Sequence, residues 1–437
     1  MSDKVFKIKL NDELIEYFNE TVSEHDHLSL QKTFEGKRYR GVNAWDCICS
    51  CMDRIRSTVH YLNDMELAMS SRYGNAFNFM EFMNNSTVII DAVDMLADIF
   101  SVSFSDEDAE CRIFNQPGND GEGSDKRYFQ YLRSLCVVHP TDTSRHKRYQ
   151  QDHDFLTCPY IRWNTGLFAV MVHDGADLHA KVYDNEPNSM GDYIPIYIPQ
   201  VFDFVKYRYG LITKVAGGIR RYHSEIINDF KNTPIADRQE GESEPDYFIR
   251  LKGEHTERLG GGYDYIYDYA CKIMGFEPSN PSNTDAVNRY KNAWRLAMEF
   301  ELNALRNVSY EGFENCGIVG AEEGSDTALI SQLYYSRSEC PELKELSYEL
   351  SKLHYLDGTY GPNDSRWGRM MLQELLPVFS KYVEFDRDLT DWELFVLSNI
   401  ALYELALNNP STLSDSIPWD SRYRKLDNIR EGQVSDA

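Results

Sequence analysis

Val42–Ser71 reads VNAWDCICSCMDRIRSTVHYLNDMELAMSS, and its apolar residues Ala44, Cys47, Ile48, Cys51, Ile55, Val59, Leu62 and Leu67 recur near i, i+3, i+4 and i+7. That spacing lines one face of an amphipathic helix. Phe77–Phe100 repeats it with Phe79, Phe82, Met83, Ile89, Ile90, Val93, Leu96, Ala97 and Phe100. The N-terminal third therefore reads as a helical bundle.

Downstream, Gly and Pro break regular structure in Gln116–Asp125 (QPGNDGEGSD). Ser124 or Asp125 caps a helix expected over Lys126–Val138, which His139–Pro140 must end, because proline disfavours helix at the residue before it. The period then changes. Leu167–Val172, Leu178–Tyr183 and Tyr193–Ile198 read as three short strands, the first two joined by a turn at Asp174–Gly175, which makes a small antiparallel meander. Val201–Lys231 resumes a long helix, with Gly217–Gly218 as the place where it would break. Asn232–Pro245 is polar and proline-bounded, the best linker candidate. Beyond it helices are expected near Asp246–His255, Gly262–Met274, Asp285–Asn307, Thr327–Ser336, Pro341–Leu356, Arg366–Val383 and Asp391–Asn408. The expected class is mainly α. A helical bundle spans residues 1–160, the meander and long helix 161–231, and a helical C-terminal domain 246–430.

The 437 residues are 42% hydrophobic and 26% charged, which excludes collagen-like, wholly disordered and disulfide-dense miniprotein classes. Forty-five basic against seventy acidic side chains give a net charge of −25. Such a field repels polyanions, so the whole surface is not a general nucleic-acid or anionic-membrane binder. The N-terminus, MSDKVFKIKLNDELIEYF, has no apolar run of signal-peptide length, and no stretch approaches the roughly 18 apolar residues of a membrane span. The nine cysteines are odd in number and scattered, which favours reduced thiols and a cytoplasmic protein.

One segment carries chemistry. Arg133-Ser134-Leu135-Cys136-Val137-Val138-His139-Pro140 closes the helix that begins DKRYFQYL. An arginine and a histidine separated by five residues, followed by a helix-breaking proline, resemble the Arg-x(4–6)-His motif of the HEPN superfamily of helical ribonucleases. A polar residue after the arginine is usual in that family, and Ser134 fits. Arg54/His60, Arg148/His153 and Arg250/His255 also match the spacing. The first pair lies in mid-helix, where positions six apart point about 120° away from each other, and the other two sit in or beside polar segments. The resemblance covers Val42 to Arg148 and gives no account of the meander or the C-terminal half.

The resemblance implies a HEPN-like N-terminal bundle and a metal-independent endoribonuclease, without cofactor, serving as a toxic effector in bacterial defence or a toxin–antitoxin system. His139 would be the acid/base, Arg133 the phosphate clamp and Ser134 a helper, with two motifs facing each other across a homodimer. RNA supplies its own nucleophile in the 2′-hydroxyl. Histidine suits proton transfer near neutral pH, and arginine holds phosphate oxygens in a planar, permanently charged fork.

A basic island surrounds the motif: Lys126, Arg127, Arg133, Arg145, Lys147 and Arg148, against the single acid Asp142. Lys126, Arg127, Arg145, His146, Lys147 and Arg148 are the expected RNA contacts. Val201–Ser224 is a second island, with Lys206, Arg208, Lys214, Arg220 and Arg221 against Asp203. If the two meet, they make a local phosphate-binding cleft. Tyr128, Phe129, Tyr131, Tyr149, Tyr207, Tyr209 and Tyr222 interleave with the charges as candidate stacking partners for unpaired bases.

Plainer readings stand beside these. His139 serves equally as a helix C-cap, and Arg133 as the partner of Asp91, Asp94 or Asp98 on a neighbouring helix. The competing function is a non-catalytic helical scaffold or regulator that binds a basic protein partner through the acidic C-terminal half. Cys47, Cys49 and Cys51 read as core thiols rather than a zinc site. His25-Asp26-His27 reads as a polar turn. His173-Asp174 resembles the metal-binding pair of HD phosphohydrolases but opens a hairpin instead of sitting on a helix. Gly260-Gly261-Gly262 is a flexible helix start, and Tyr263–Tyr269 a packing stretch. No metal ligand set is expected.

Overall fold

The computed structural model describes residues 4–23, 30–69, 76–150, 153–165, 175–186, 190–262, 264–310, 312–313, 318–320, 328–330, 333, 342–408 and 423–425. The fold is mainly α, and the chain divides into two compact units. The first is Met1–His25 with Thr33–Glu225, and the second Asp26–Lys32 with Ile226–Ala437.

The first unit is built on the two long helices. Trp45–Asp64 buries Ile48, Cys51, Ile55, Val59 and Leu62. Phe77–Ile99 buries Phe79, Phe82, Met83, Ile89, Ile90, Val93 and Leu96. They pack against each other, and at about 1.5–3 kcal/mol for each large apolar side chain taken out of water their stripes are a main source of stability. Glu13–Ser23, Asp125–Arg133, Ile198–Gly210 and the start of Ile212–Asn232 complete the bundle. The expected helix Val201–Lys231 breaks at Leu211, not at Gly217–Gly218. Gly218 serves packing instead: a Cβ there would stand 2.5 Å from Val102 Cγ2, so the glycine lets the helix lie close to that chain.

The antiparallel meander runs Thr157–Trp163, Leu178–Tyr183 and Asp192–Ile196, with the second strand central. The expected strand Leu167–Val172, with Asp174 of the turn, lies outside the described residues. Thr157–Trp163 (TCPYIRW) pairs with the central strand, its alternation interrupted by a register shift after Thr157. Trp163, Leu178, Ala180, Val182 and Ile196 are buried in the helical core, and Trp163 stacks on Phe6 with ring centroids 6.1 Å apart. A sheet with one apolar face must close it against something. Here the same core closes sheet and helices, so the expected boundary at 160/161 does not separate domains.

The second unit gathers round Trp294 of Thr284–Asn307, with Glu244–Leu259, Tyr265–Met274, Pro362–Phe379 and Asp391–Asn408. Asp391–Asn408 is buried without interruption from Leu394 to Ala406, as a helix apolar all round must be. Within the expected helix Thr327–Ser336, Ala328–Ile330 is a strand, antiparallel to Ile318–Gly320, which pairs in parallel with Tyr423–Lys425. Pro341–Leu356 holds only short turns and the one-turn helix Ser347–Leu350. The linker candidate is pinned. Arg250 donates to the Ala236 and Asp237 carbonyls at 2.8 and 3.0 Å, and Arg258 to those of Phe230 and Thr233 at 2.6 and 2.7 Å. No helix among the described residues is long and apolar enough to cross a membrane.

Candidate active site

The helix that carries the motif is anchored at its start. Ser124 caps it by accepting the Arg127 N–H. The buried Asp125 carboxylate accepts three backbone N–H groups, from Arg112, Ile113 and Phe114, at 2.8–2.9 Å. Tyr128, Phe129, Tyr131 and Leu132 then turn into the core. The α-helix ends on Arg133 and continues as one π turn, Ser134–Val138, closed by the His139 N–H donating to the Ser134 carbonyl at 2.8 Å. Single π turns within helices occur often at functional sites. Pro140 has no N–H to extend the helix, and its carbonyl accepts from Cys158 N of the first meander strand at 2.5 Å.

The returning loop is tied down. Thr143 and Leu156 exchange backbone hydrogen bonds at 2.9 and 3.0 Å. The Thr143 hydroxyl donates to the His139 carbonyl at 2.8 Å, and the Gln150 amide donates to the Thr143 carbonyl. This brings His146 against Tyr131, ring centroids 6.0 Å apart, and within electrostatic range of His139. Burial first, then Arg145, then His139 hold the His146 pKa below the ordinary histidine value.

Arg133 is half-buried, and its Nε is buried without a hydrogen-bond partner among the described residues. Of the three acids expected to hold it, Asp94 is bound by Lys126 at 2.9 Å and Arg208 at 2.5 Å. Asp91 feels Arg133 at a distance: burial raises the Asp91 pKa, and the Arg133 charge opposes that. Among the described residues no carboxylate forms an ion pair with Arg133, so its fork is incompletely used. Ser134 is buried, and its carbonyl closes the π turn.

No protein-family model, curated protein or solved structure matches the chain.

The basic residues divide into two groups. Lys126 is held between Asp94 and Asp108 at 2.9 and 2.8 Å, Arg127 donates to the Glu122 carbonyl at 3.0 Å, and Arg148 pairs with Asp120 at 2.7 Å. A phosphate would have to displace those partners. Lys147 faces Asp154 at 3.4 Å, both well exposed. Arg145 is exposed and has no partner among the described residues. The two basic islands do meet, at Asp94 and Asp108, where Lys126 and the buried Arg208 share both carboxylates. The meeting is a neutralised ion cluster and not an open cleft. Tyr128, Phe129, Tyr131 and Tyr209, expected as stacking partners, are buried in the core.

Among the described residues no group of three or more His, Cys, Asp or Glu is arranged to hold a metal. Cys51 is buried, with Cys47 and Cys49 half-buried on their helix. His25-Asp26-His27 and His173-Asp174 lie outside the described residues. Two cavities lie in the first unit, one against the motif segment and one against the loop that follows it. One, of about 320 Å³, is lined by Phe77, Met80, Cys136, Pro140, Cys158 and Tyr160 among others. The other, of about 240 Å³, is lined by Tyr149, Gln150, Asp184 and Asp192 among others. Gln150 and Asp192 carried no signal in the sequence, since one follows a short turn and the other opens a distant strand, and only the fold sets both on one cavity.

Proposed function

We propose that the first unit is a metal-independent endoribonuclease of HEPN type, with Arg133, His139 and His146 carrying the reaction. The end of the motif helix supports this reading. It leaves an arginine whose buried Nε has no partner among the described residues, and the returning loop brings His146 within range of the His139 charge. Intramolecular cleavage of RNA needs two proton transfers. A neutral imidazole takes the 2′-hydroxyl proton as that oxygen attacks the adjacent phosphorus. The P–O5′ bond then breaks, and an imidazolium protonates the leaving 5′-oxygen. His146, with its lowered proton affinity, suits the base, and His139 the acid. The Arg133 fork holds the non-bridging oxygens as charge builds on them. Ser134 acts through its backbone, fixing the position of His139. Arg145 and Lys147 draw in the RNA strand. The family resemblance adds a homodimer and a toxic role in bacterial defence.

The test compares wild type with Arg133→Ala, His139→Ala and His146→Ala on mixed RNA in EDTA, with product ends identified. Cleavage to 2′,3′-cyclic phosphates should survive EDTA and fall by about 10²–10⁴ in either histidine variant. Intact RNA with folded wild type overturns the reading.

A second reading, a helical scaffold for a basic protein partner, draws on the second unit. Residues 226–437 carry 37 acidic against 21 basic side chains. Trp367 and Met370, one turn apart on Pro362–Phe379, are 40% and 50% exposed. A partner captured by wild type and lost with Trp367→Ser would favour it.

A further inference from the structure

The smaller cavity lies between the turn Lys147–Tyr149 and the second and third meander strands. Leu156, Val182 and Ile194 make apolar walls, and Tyr149 supplies an aromatic ring. Of its polar side chains, Gln150, Asp184 and Asp192 offer hydrogen-bond acceptors, and His153 is turned toward Asp184. Gln150 is 1% exposed, its Nε2 is spent on the Thr143 carbonyl, and its Oε1 is buried with no partner among the described residues. The amide cannot be turned round, because that would set one carbonyl oxygen against another. Asp192 is exposed and accepts the Tyr193 N–H at 2.7 Å through one oxygen. Asp184 accepts the Glu186 N–H at 3.0 Å and faces His153 Nε2 at 3.7 Å.

A buried carbonyl without a donor is costly, and a ligand N–H removes that cost. The ligand must therefore bring several donors on one planar edge, with a face for Tyr149. Among nucleobases guanine alone meets this. Its N1–H and N2–H₂ lie side by side and fit a carboxylate in two parallel bonds. Adenine and cytosine each set a ring acceptor beside their amino group, and uracil has one N–H between two carbonyls. Single-stranded RNA is read in this way, by splayed bases stacked on aromatic rings and bonded along their Watson–Crick edges. The cavity also joins the motif: Gln150 bonds to Thr143, and Thr143 bonds to the His139 carbonyl.

We infer that this cavity is a guanine subsite, which holds the base next to the phosphate that Arg133 and His139 engage. The inference rests on the ribonuclease reading for what the base is attached to. Guanine sits with its donors toward Asp192 and Gln150, and Asp184 extends the acceptor rim.

Calorimetric titration of the full chain with 3′-GMP, 3′-AMP, 3′-CMP and 3′-UMP tests this apart from any cleavage. 3′-GMP should bind at least ~10-fold tighter than the others. Asp192→Asn, at an exposed position that tolerates the change, should remove most of that advantage and leave the weak binding of the others as it was. Asp184→Asn is the second variant, and thermal melts show that each is folded. Equal binding of the four nucleotides overturns the subsite, even if RNA is cleaved. A 3′-GMP preference that Asp192→Asn leaves intact also overturns it, because the base is then read elsewhere. Guanine-selective binding that both variants weaken, with no RNA cleavage in EDTA, keeps the subsite and overturns the ribonuclease.

Discussion

Arg208 is 1% exposed, with its guanidinium forked between Asp94 at 2.5 Å and Asp108 at 2.6 Å, while Lys126 bridges the same two carboxylates. Removing one member of a buried ion cluster leaves its partners' charge uncompensated in a poorly polarisable setting. Arg208→Leu should therefore cost about 3 kcal/mol, at the low end of the range because both carboxylates still touch water, and should lower the urea midpoint accordingly. His146 gives a second prediction at this scale. Its pKa in the folded protein lies below 6.5, so as pH falls through about 6.5 the unfolded chain takes up a proton before the folded one does, and stability drops. Arg145 is one cause of that shift, so Arg145→Gln should move the His146 NMR titration midpoint upward, toward the ordinary value, and lessen the stability loss between pH 7 and 5. No movement would show that burial and His139 set the shift without Arg145. These side chains also mark what the sequence makes legible. A helix end at His139 is written locally, by the proline that follows. The partners of Lys126 and Arg208 are not, because Asp94 and Asp108 lie far away in the chain.

Helices were legible where an apolar stripe repeats. The pair Trp45–Asp64 and Phe77–Ile99 needed nothing but spacing. The π turn at Ser134–Val138 was not, since one extra residue in a turn leaves the apolar pattern unbroken and only the His139–Ser134 bond reveals it. Strand Thr157–Trp163 was missed because its burial alternates poorly across Pro159 and a register shift. Gly218 shows how a residue can be misread as a break. In Ile212–Asn232 it is buried, continues the helix and faces Val102. Alanine is the better helix former by about 1 kcal/mol, yet its Cβ would lie 2.5 Å from a branched, inflexible side chain. Overpacking of that kind costs about 1–3 kcal/mol, so contact should outweigh propensity. Gly218→Ala is expected to lower the melting temperature, whereas Gly217→Ala, with nothing among the described residues within 4 Å of its Cβ, should raise it or leave it unchanged. The reverse order would mean that backbone freedom, not contact, selects glycine at 218.

Two hydrophobic cores, one per unit, give the molecule its largest-scale division, and charge divides unequally between them. Residues 1–225 carry 33 acidic against 24 basic side chains, and residues 226–437 carry 37 against 21. The second part thus supplies most of the field that opposes RNA, although the proposed chemistry lies wholly in the first. Such repulsion acts over roughly 10 Å at 0.1 M salt and over about three times that at 0.01 M. A fragment of residues 1–225, which retains its own core, should therefore associate with RNA faster than the full chain at low salt, with the two rates converging as salt rises. Stopped-flow association of a fluorescent RNA with both proteins carrying His139→Ala, so that nothing is cut, measures this directly. Convergence at high salt assigns the difference to charge. A constant ratio at all salt concentrations would instead mean that the second unit blocks or completes the RNA surface by contact.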